Sequence, residues 1–189
     1  MHTKYFIEST KLHLQLAKDV NFQHQFAQAV EKLIACIRRG NTIFIGGNGG
    51  SAADAQHFAA ELSGGNFLGL RKNFSAIALT ANSSVVTAIA NDFGYDQLFV
   101  RQLEALGKPG DFFCGISTSG NSPNIVIALA GAKKLGMMTM GLLGSGGGNA
   151  LPLCDYPIVV PSDNTQHIQE AHIVIIHALC VSIYEKDDA

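Results

Sequence analysis

Apolar side chains recur at helical spacing from the start of the chain: Phe6, Leu12, Leu14 and Leu16, then Phe26, Val30, Leu33, Ile34 and Ile37. The pattern predicts two helices over residues 3–39, broken near Asp19 to Asn21 and ending at Gly40. Beyond Gly40 the pattern changes. Short, continuous apolar runs predict strands at 42–46, 75–80, 111–116, 138–143 and 156–160. Helical stretches at 51–62, 83–90, 95–106, 123–135 and 165–184 alternate with them. Strands that are apolar throughout belong to a parallel sheet covered on both faces. The expected fold is α/β: a five-stranded, doubly wound parallel sheet of flavodoxin-like type, sandwiched by helices. A helical arm, residues 1–40, precedes the sandwich domain, residues 41–189. Such sheets bind ligands beyond the C-terminal ends of their strands, so the loops there are where chemistry is expected.

Two of those loops are unusual. Gly115-Ile116-Ser117-Thr118-Ser119-Gly120-Asn121-Ser122-Pro123-Asn124 follows the apolar Phe112-Phe113-Cys114 and leads into a helix. Amides at a helix start are unpaired and carry the positive end of the helix dipole, so they hold anions. Ser122 suits the N-cap and Pro123 the first helical position. Hydroxyls and free amides without Arg or Lys suit a phosphate monoester that must be bound and then released. The other loop, Gly46-Gly47-Asn48-Gly49-Gly50-Ser51, closes the first strand. Ser51 with Asp54 three residues later forms a capping-box pattern that places the next helix start at Ser51. Gly47-x-Gly49-x-x-Ala52 also meets the dinucleotide fingerprint, but the next strand ends Leu79-Thr80-Ala81-Asn82 without the acid that would hold a ribose. The loop also lacks the lysine of a nucleotide P-loop. The glycines are better read as letting the backbone approach a small substrate, with Asn48 supplying a side-chain contact.

Composition narrows the partners. Of 189 residues 47% are hydrophobic and 15% charged, well below the usual quarter, which points to apolar surface buried between subunits. With a net charge of −2 and scattered Lys and Arg, neither a nucleic-acid stripe nor a basic membrane-surface helix is expected. The first twenty residues lack the apolar core of a signal peptide, and no apolar run approaches the ~18 residues of a membrane span. Cys36, Cys114, Cys154 and Cys180 are widely spaced without a CxxC pair, as expected of reduced cysteines in a cytosolic protein.

A candidate metal set spans two helices. His57 and Glu61 are four apart and share a helix face, so an imidazole nitrogen and a carboxylate oxygen can meet one ion. Gln169 and His177 on the last helix differ by about 80° in angle and about 12 Å along the axis. Both reach one ion only if Gln169 leans forward and His177 back, or if they come from different subunits. A nitrogen and oxygen set of this kind suits zinc or another first-row ion. His167 and His172 have no evident partner and are expected at the surface or an interface.

Four ordered blocks then add up to a resemblance. Gly47-Asn48-Gly49-Gly50-Ser51-x-x-Asp54-x-x-His57-x-x-x-Glu61, Asn91-Asp92-Phe93-Gly94, Gly115 to Ser122, and Ile168-Gln169-Glu170-x-His172 followed by His177 resemble the phosphoheptose isomerases of the SIS (sugar isomerase) domain superfamily. The resemblance spans essentially the whole chain. It implies conversion of D-sedoheptulose 7-phosphate into D-glycero-D-manno-heptose 7-phosphate, the first step of ADP- or GDP-heptose synthesis for lipopolysaccharide or other surface glycans. It further implies a cytoplasmic homotetramer with active sites between subunits. Carried over residue by residue, it places Asn48, Gly49, Gly50, Asn91, Asp92, Ser117, Thr118, Ser119 and Ser122 on the substrate. His57, Glu61, Gln169 and His177 would bind one zinc per subunit, with Glu61 and Gln169 also reaching the sugar. Where many members carry an Arg after the glutamate helix, this chain reads Ser63-Gly64-Gly65-Asn66-Phe67.

Moving a proton between C1 and C2 through an enediol needs a base at carbon, an acid or base at the oxygens, and something to hold enediolate charge. Glu61 and His177 are the candidates for the first two, with the shuttling proton on Glu61. The alternative is a non-catalytic SIS protein of the type that associates with the bacterial replication initiator. That relative lacks the glutamate and the second histidine, and both are present here.

Overall fold

The computed structural model describes residues 2–64, 69 and 72–187. Helices α1 (His2–Lys18) and α2 (Val20–Arg38) meet at Asp19, whose extended backbone ends the first and begins the second. Its carboxylate accepts from the N–H groups of Asn21 at 2.8 Å and Phe22 at 3.1 Å. A cap of this type contributes about 1 kcal/mol, which explains a break where no Pro or Gly intervenes.

Five strands follow: β1 (Ile43–Gly47), β2 (Ala76–Ala78), β3 (Phe112–Ser117), β4 (Met138–Leu143) and β5 (Tyr156–Val159). They form one sheet in the order β2-β1-β3-β4-β5, every pair parallel. Between them run α3 (Gly50–Ser63), α4 (Ser83–Phe93), α5 (Leu98–Leu106) and α6 (Pro123–Lys134), and α7 (Thr165–Asp187) closes the fold. Successive strand residues point to opposite faces. Ile43, Ile45, Phe112, Cys114 and Ile116 therefore join a core with Leu12 and Leu16 of α1, Leu33 of α2, Phe58 of α3 and Ile176 of α7. Phe44 and Phe113 join a second core with Phe99 of α5 and Leu129 of α6.

That division locates the crevice. β1 and β3 are neighbours, with Gly47 beside Ile116, yet α3 packs on one face and α6 on the other. The two unusual loops thus leave the sheet side by side, at the point where the winding reverses.

Several boundaries differ from the sequence pattern. β2 keeps three residues, α4 runs on through Asn91 and Asp92 to Phe93, and a 3₁₀ turn at Tyr95–Gln97 precedes α5. A further 3₁₀ segment, Ser145–Leu153, bends at Gly146, Gly147 and Gly148, all at positive φ. The capping box does not form. Gly49, at φ 57, is the N-cap and makes no side-chain cap bond, so α3 begins at Gly50 with Ser51 already inside it. The glycine at positive φ turns the chain two residues before Ser51, so Ser51 cannot cap.

α7 is long and apolar enough, by length and composition alone, to cross a membrane, but more than half of it is buried in this chain, as in a core helix. Two of its histidines, His167 and His172, are buried too, contrary to expectation. His172 is fully enclosed, and His167 is 5% exposed under α1. Cys36, Cys114 and Cys180 are core residues, all four cysteines are free, and burial raises the thiols of Cys36, Cys154 and Cys180 to about 12.

Candidate active site

The hydroxyl loop begins where β3 ends. Ser117 Oγ shares a hydrogen with Ser122 Oγ at 3.0 Å and accepts from the Gly120 N–H at 3.1 Å. Ser119 Oγ accepts from the Asn121 N–H at 3.1 Å. Ser122 stands at the N-cap of α6 with Pro123 next, as the sequence suggests, but its hydroxyl makes no cap bond. The helix start is therefore not closed by its own side chain, which suits a site for an anion. The loop is rigidly backed. Gly120, at φ 65, leaves no room for a Cβ beside the Gly147 carbonyl. Asn121 donates to the Ser119 carbonyl at 3.0 Å and accepts from the Asn149 N–H at 2.9 Å. Ser119 is exposed, Thr118 and Ser122 are half-buried, and Ser117 is buried.

Asn48 ties the glycine loop to this one. Its Nδ2 donates to Asn124 Oδ1 at 2.9 Å, and its Oδ1 accepts from Asn124 Nδ2 at 2.8 Å and from the Tyr95 hydroxyl at 2.9 Å. With its oxygen doubly engaged, Asn48 has one Nδ2 hydrogen left to offer a ligand. Asn91 and Asp92, on the last turn of α4, bond to each other at 2.7 Å and are exposed. It is Tyr95, three residues beyond, that reaches the loops.

The candidate metal ligands fall into two groups. His57 Nε2 lies 2.8 Å from His177 Nε2 and 3.5 Å from Glu61 Oε1, and the three residues offer donor atoms all within 4.8 Å of one another. Ligand atoms on a tetrahedral zinc lie about 3.3 Å apart, given bonds of about 2.0 Å, so these spacings fit one ion. The donor chemistry agrees: only one hydrogen can sit between two ring nitrogens at 2.8 Å, and a cation would use both lone pairs. Gln169 is set apart, its amide packed so closely on Gly50 that a Cβ there would collide with it. Tyr184 holds the Glu61 end of α3 in place, its hydroxyl 3.0 Å from the Glu61 carbonyl.

Gln169 belongs to a cleft of about 440 Å³ between α3, α7 and α1, lined also by Tyr5, Gly50, Asp54, Gln166 and Glu170. Asp54 is 8% exposed, and burial raises its carboxyl to about 6. Glu170 is held below the usual carboxylate range, against the effect of its own burial, by hydrogen bonds from Tyr5, Ser9 and His167. Sequence pattern alone gives Asp54, Tyr95, Asn124 and Glu170 no site role. The Asn48 partner of Tyr95 and Asn124, and Tyr5 and Ser9 beside Glu170, lie far along the chain, and only an unexplained carboxylate in the α3 block points to Asp54. The family's arginine segment falls on Gly65, Asn66 and Phe67, outside the described residues.

The sequence pattern of the SIS domain family matches residues 4–144. The phosphoheptose isomerase of Campylobacter jejuni subsp. jejuni serotype O:6 is 55% identical over 161 residues, covering 85% of this chain and 86% of its own. A probable phosphoheptose isomerase of Thermoplasma acidophilum is 46% identical over 189 residues, covering 98% of this chain and all of its own. The solved structure of phosphoheptose isomerase GmhA from Neisseria gonorrhoeae superposes with a TM-score of 0.90 at 39% identity, covering 99% and 97% of the two chains. With a 2-1-3-4-5 sheet, a glycine loop and a hydroxyl loop side by side at the winding reversal, and relatives of this identity over most of its length, the chain belongs to the SIS domain family and, within it, to the phosphoheptose isomerases.

Proposed function

We propose that this isomerase converts D-sedoheptulose 7-phosphate into D-glycero-D-manno-heptose 7-phosphate through an enediol, with zinc bound by His57, Glu61 and His177 and, once its amide turns from Gly50 toward them, by Gln169. The observation that carries the reading is the convergence of His57 and Glu61 of α3 with His177 of α7, together with an uncapped hydroxyl loop beside the glycine loop that leads into α3. Thr118, Ser119 and Ser122, with the first amides of α6, hold the phosphate, and Ser117 keeps their loop in shape. Asn48, Gly49, Gly50, Asn91 and Asp92 contact the sugar. Glu61 takes the carbon-bound proton and returns it to the neighbouring carbon, while His177 serves the oxygens. When bound, zinc would polarise the carbonyl and hold enediolate charge.

Exposed Phe6, Ile7 and Leu14 on α1, and a fourth helix without a fully buried residue, support a homotetramer that covers these faces. Reduced cysteines and a sugar-phosphate substrate suit the cytoplasm and a route to heptose-containing glycans. The curated relatives are named phosphoheptose isomerases, so the partner-binding alternative is not favoured. Incubation with sedoheptulose 7-phosphate, with and without added zinc, followed by NMR of the products, tests the reaction. Metal-dependent appearance of the heptose 7-phosphate is expected, and unchanged substrate in the presence of zinc would refute it. Light scattering should give four times the 20.1 kDa chain mass.

A further inference from the structure

Two carboxyl groups line the cleft between α3 and α7, and their surroundings are opposite. Glu170 is fully engaged: Tyr5 donates to Oε1 at 2.7 Å, Ser9 donates to Oε2 at 2.7 Å, and His167 Nδ1 lies 3.4 Å from Oε2. Asp54 has no such company. It is nine-tenths buried, and its Oδ2 is closed to water with no hydrogen-bond partner among the described residues. Leaving such an oxygen unsatisfied costs about 1–3 kcal/mol, and native structures rarely carry that cost without a partner from outside the fold.

The position of Asp54 shows where that partner would come from. Residues 50, 54, 57 and 61 form one stripe along α3. Gly50 carries the Gln169 amide at one end of the stripe, and His57 and Glu61 meet His177 at the other. Asp54 sits between them, facing the cleft. No Lys or Arg is among the residues lining this cleft, so a cationic side chain of this chain is not the missing donor. A molecule rich in neutral O–H donors would supply it.

We infer that Asp54 is a substrate-positioning residue whose carboxylate, turning about χ2 to bring the covered Oδ2 to the cleft, accepts a hydrogen bond from a hydroxyl of the sugar chain, favouring polyhydroxylated over deoxygenated substrates. The inference rests on the sugar-phosphate reading proposed above. It also separates two kinds of effect. Removing the charge removes a ligand contact, but it also replaces an unsatisfied buried charge by a neutral group, so binding and stability should move in opposite directions.

The experiment uses the full-length, zinc-loaded protein, with Asp54→Asn and Asp54→Ala assayed on sedoheptulose 7-phosphate and melted in parallel. KM should rise roughly 10- to 100-fold, as for loss of a charge-assisted hydrogen bond, with kcat within a few-fold and zinc content unchanged. Tm should stay level or increase in Asp54→Asn. A KM within twofold of wild type in both variants would overturn the inference, and so would a lower Tm or failure of both to fold, since those results give Asp54 a structural role. Wild type unable to turn over the substrate would defeat the functional reading and this inference with it. An active wild type with unaltered variants defeats this inference alone.

Discussion

The two loops at the winding reversal of the sheet leave adjacent strands, yet they are built from different chemistry. The glycine loop leads into α3, where His57 and Glu61 meet His177 of α7, groups that can bind a cation or move a proton. The hydroxyl loop leads into α6 and offers Thr118, Ser119, Ser122 and helix-start amides, groups that hold an anion at any ordinary pH. On the proposed function, one is the reacting end and the other the holding end. Asn48, bonded to Asn124 across the gap and steadied by Tyr95, fixes the distance between them. Damage to the first should appear in kcat and damage to the second in KM, because a remote phosphate is bound alike in ground and transition states.

The largest effect is expected at Glu61. Glu61→Gln keeps the shape and much of the hydrogen bonding but removes the base, so kcat should fall roughly 10²–10⁴-fold with little change in KM. Metal content must be measured on the same sample. A variant that holds zinc and turns over near the wild-type rate would break the comparison, and one that recovers with excess metal would make Glu61 a ligand only.

Next in size is an acid sensitivity confined to the α7 face. His172 is enclosed, its Nε2 3.2 Å from the Leu143 carbonyl, and burial lowers its pKa to about 4. The unfolded chain takes up this proton near pH 6.5 while the folded chain refuses it until about pH 4, so stability rises with pH across that window. Acidification from pH 7 to 4 should therefore cost up to about 3 kcal/mol through this residue. Asp54 acts with the opposite sign. Its folded carboxyl, raised to about 6, binds a proton that the unfolded one still lacks, so it gains stability as pH falls towards 4. Urea melts of wild type and His172→Gln from pH 7.5 to 4 isolate the histidine, and the variant should lose less stability on acidification. Parallel curves would remove His172 as the cause.

At the holding end, Ser119→Ala with Ser122→Ala should raise KM roughly 10- to 100-fold and leave kcat nearly intact. An unchanged KM would take the phosphate off this loop. The smallest effect belongs to Tyr95→Phe, which deprives Asn48 of one neutral hydrogen bond worth about 1 kcal/mol. A fall of up to about fivefold in kcat/KM is expected, and no change would mean that Asn124 alone orients Asn48.

Much of this contrast was legible in the chain. The apolar runs around Ile43–Gly47 and Phe112–Ser117 mark buried parallel strands, and four-residue spacing puts His57 beside Glu61 whatever the rest of the fold does. The hydroxyl run and Pro123 mark the second loop in the same local way. What escaped the sequence depends on packing across long separations. Asp54 reads as half of a capping box until Gly49 is seen to turn the chain at positive φ, which leaves that carboxyl free to face the cleft. His167 and His172 read as surface or interface residues because nothing local says that α1 and β4 lie over them. Tyr95 reaches Asn48 across 47 residues of sequence, and Asn124 across 76, separations that carry no periodic signal. The turn at Ser145–Leu153 was missed because consecutive glycines suggest a loop without fixing its path.

The division between a reacting and a holding end is tested most directly by turnover of sedoheptulose 7-phosphate in D₂O, with NMR of the hydrogen at C2 of the product. Proton transfer through an enediol with Glu61 as the carrier predicts deuterium at C2 with wild type. The double serine variant at saturating substrate should give the same result, and the rate should collapse in zinc-loaded Glu61→Gln. A product that retains the substrate's own hydrogen quantitatively, formed at an undiminished rate by Glu61→Gln, would contradict it.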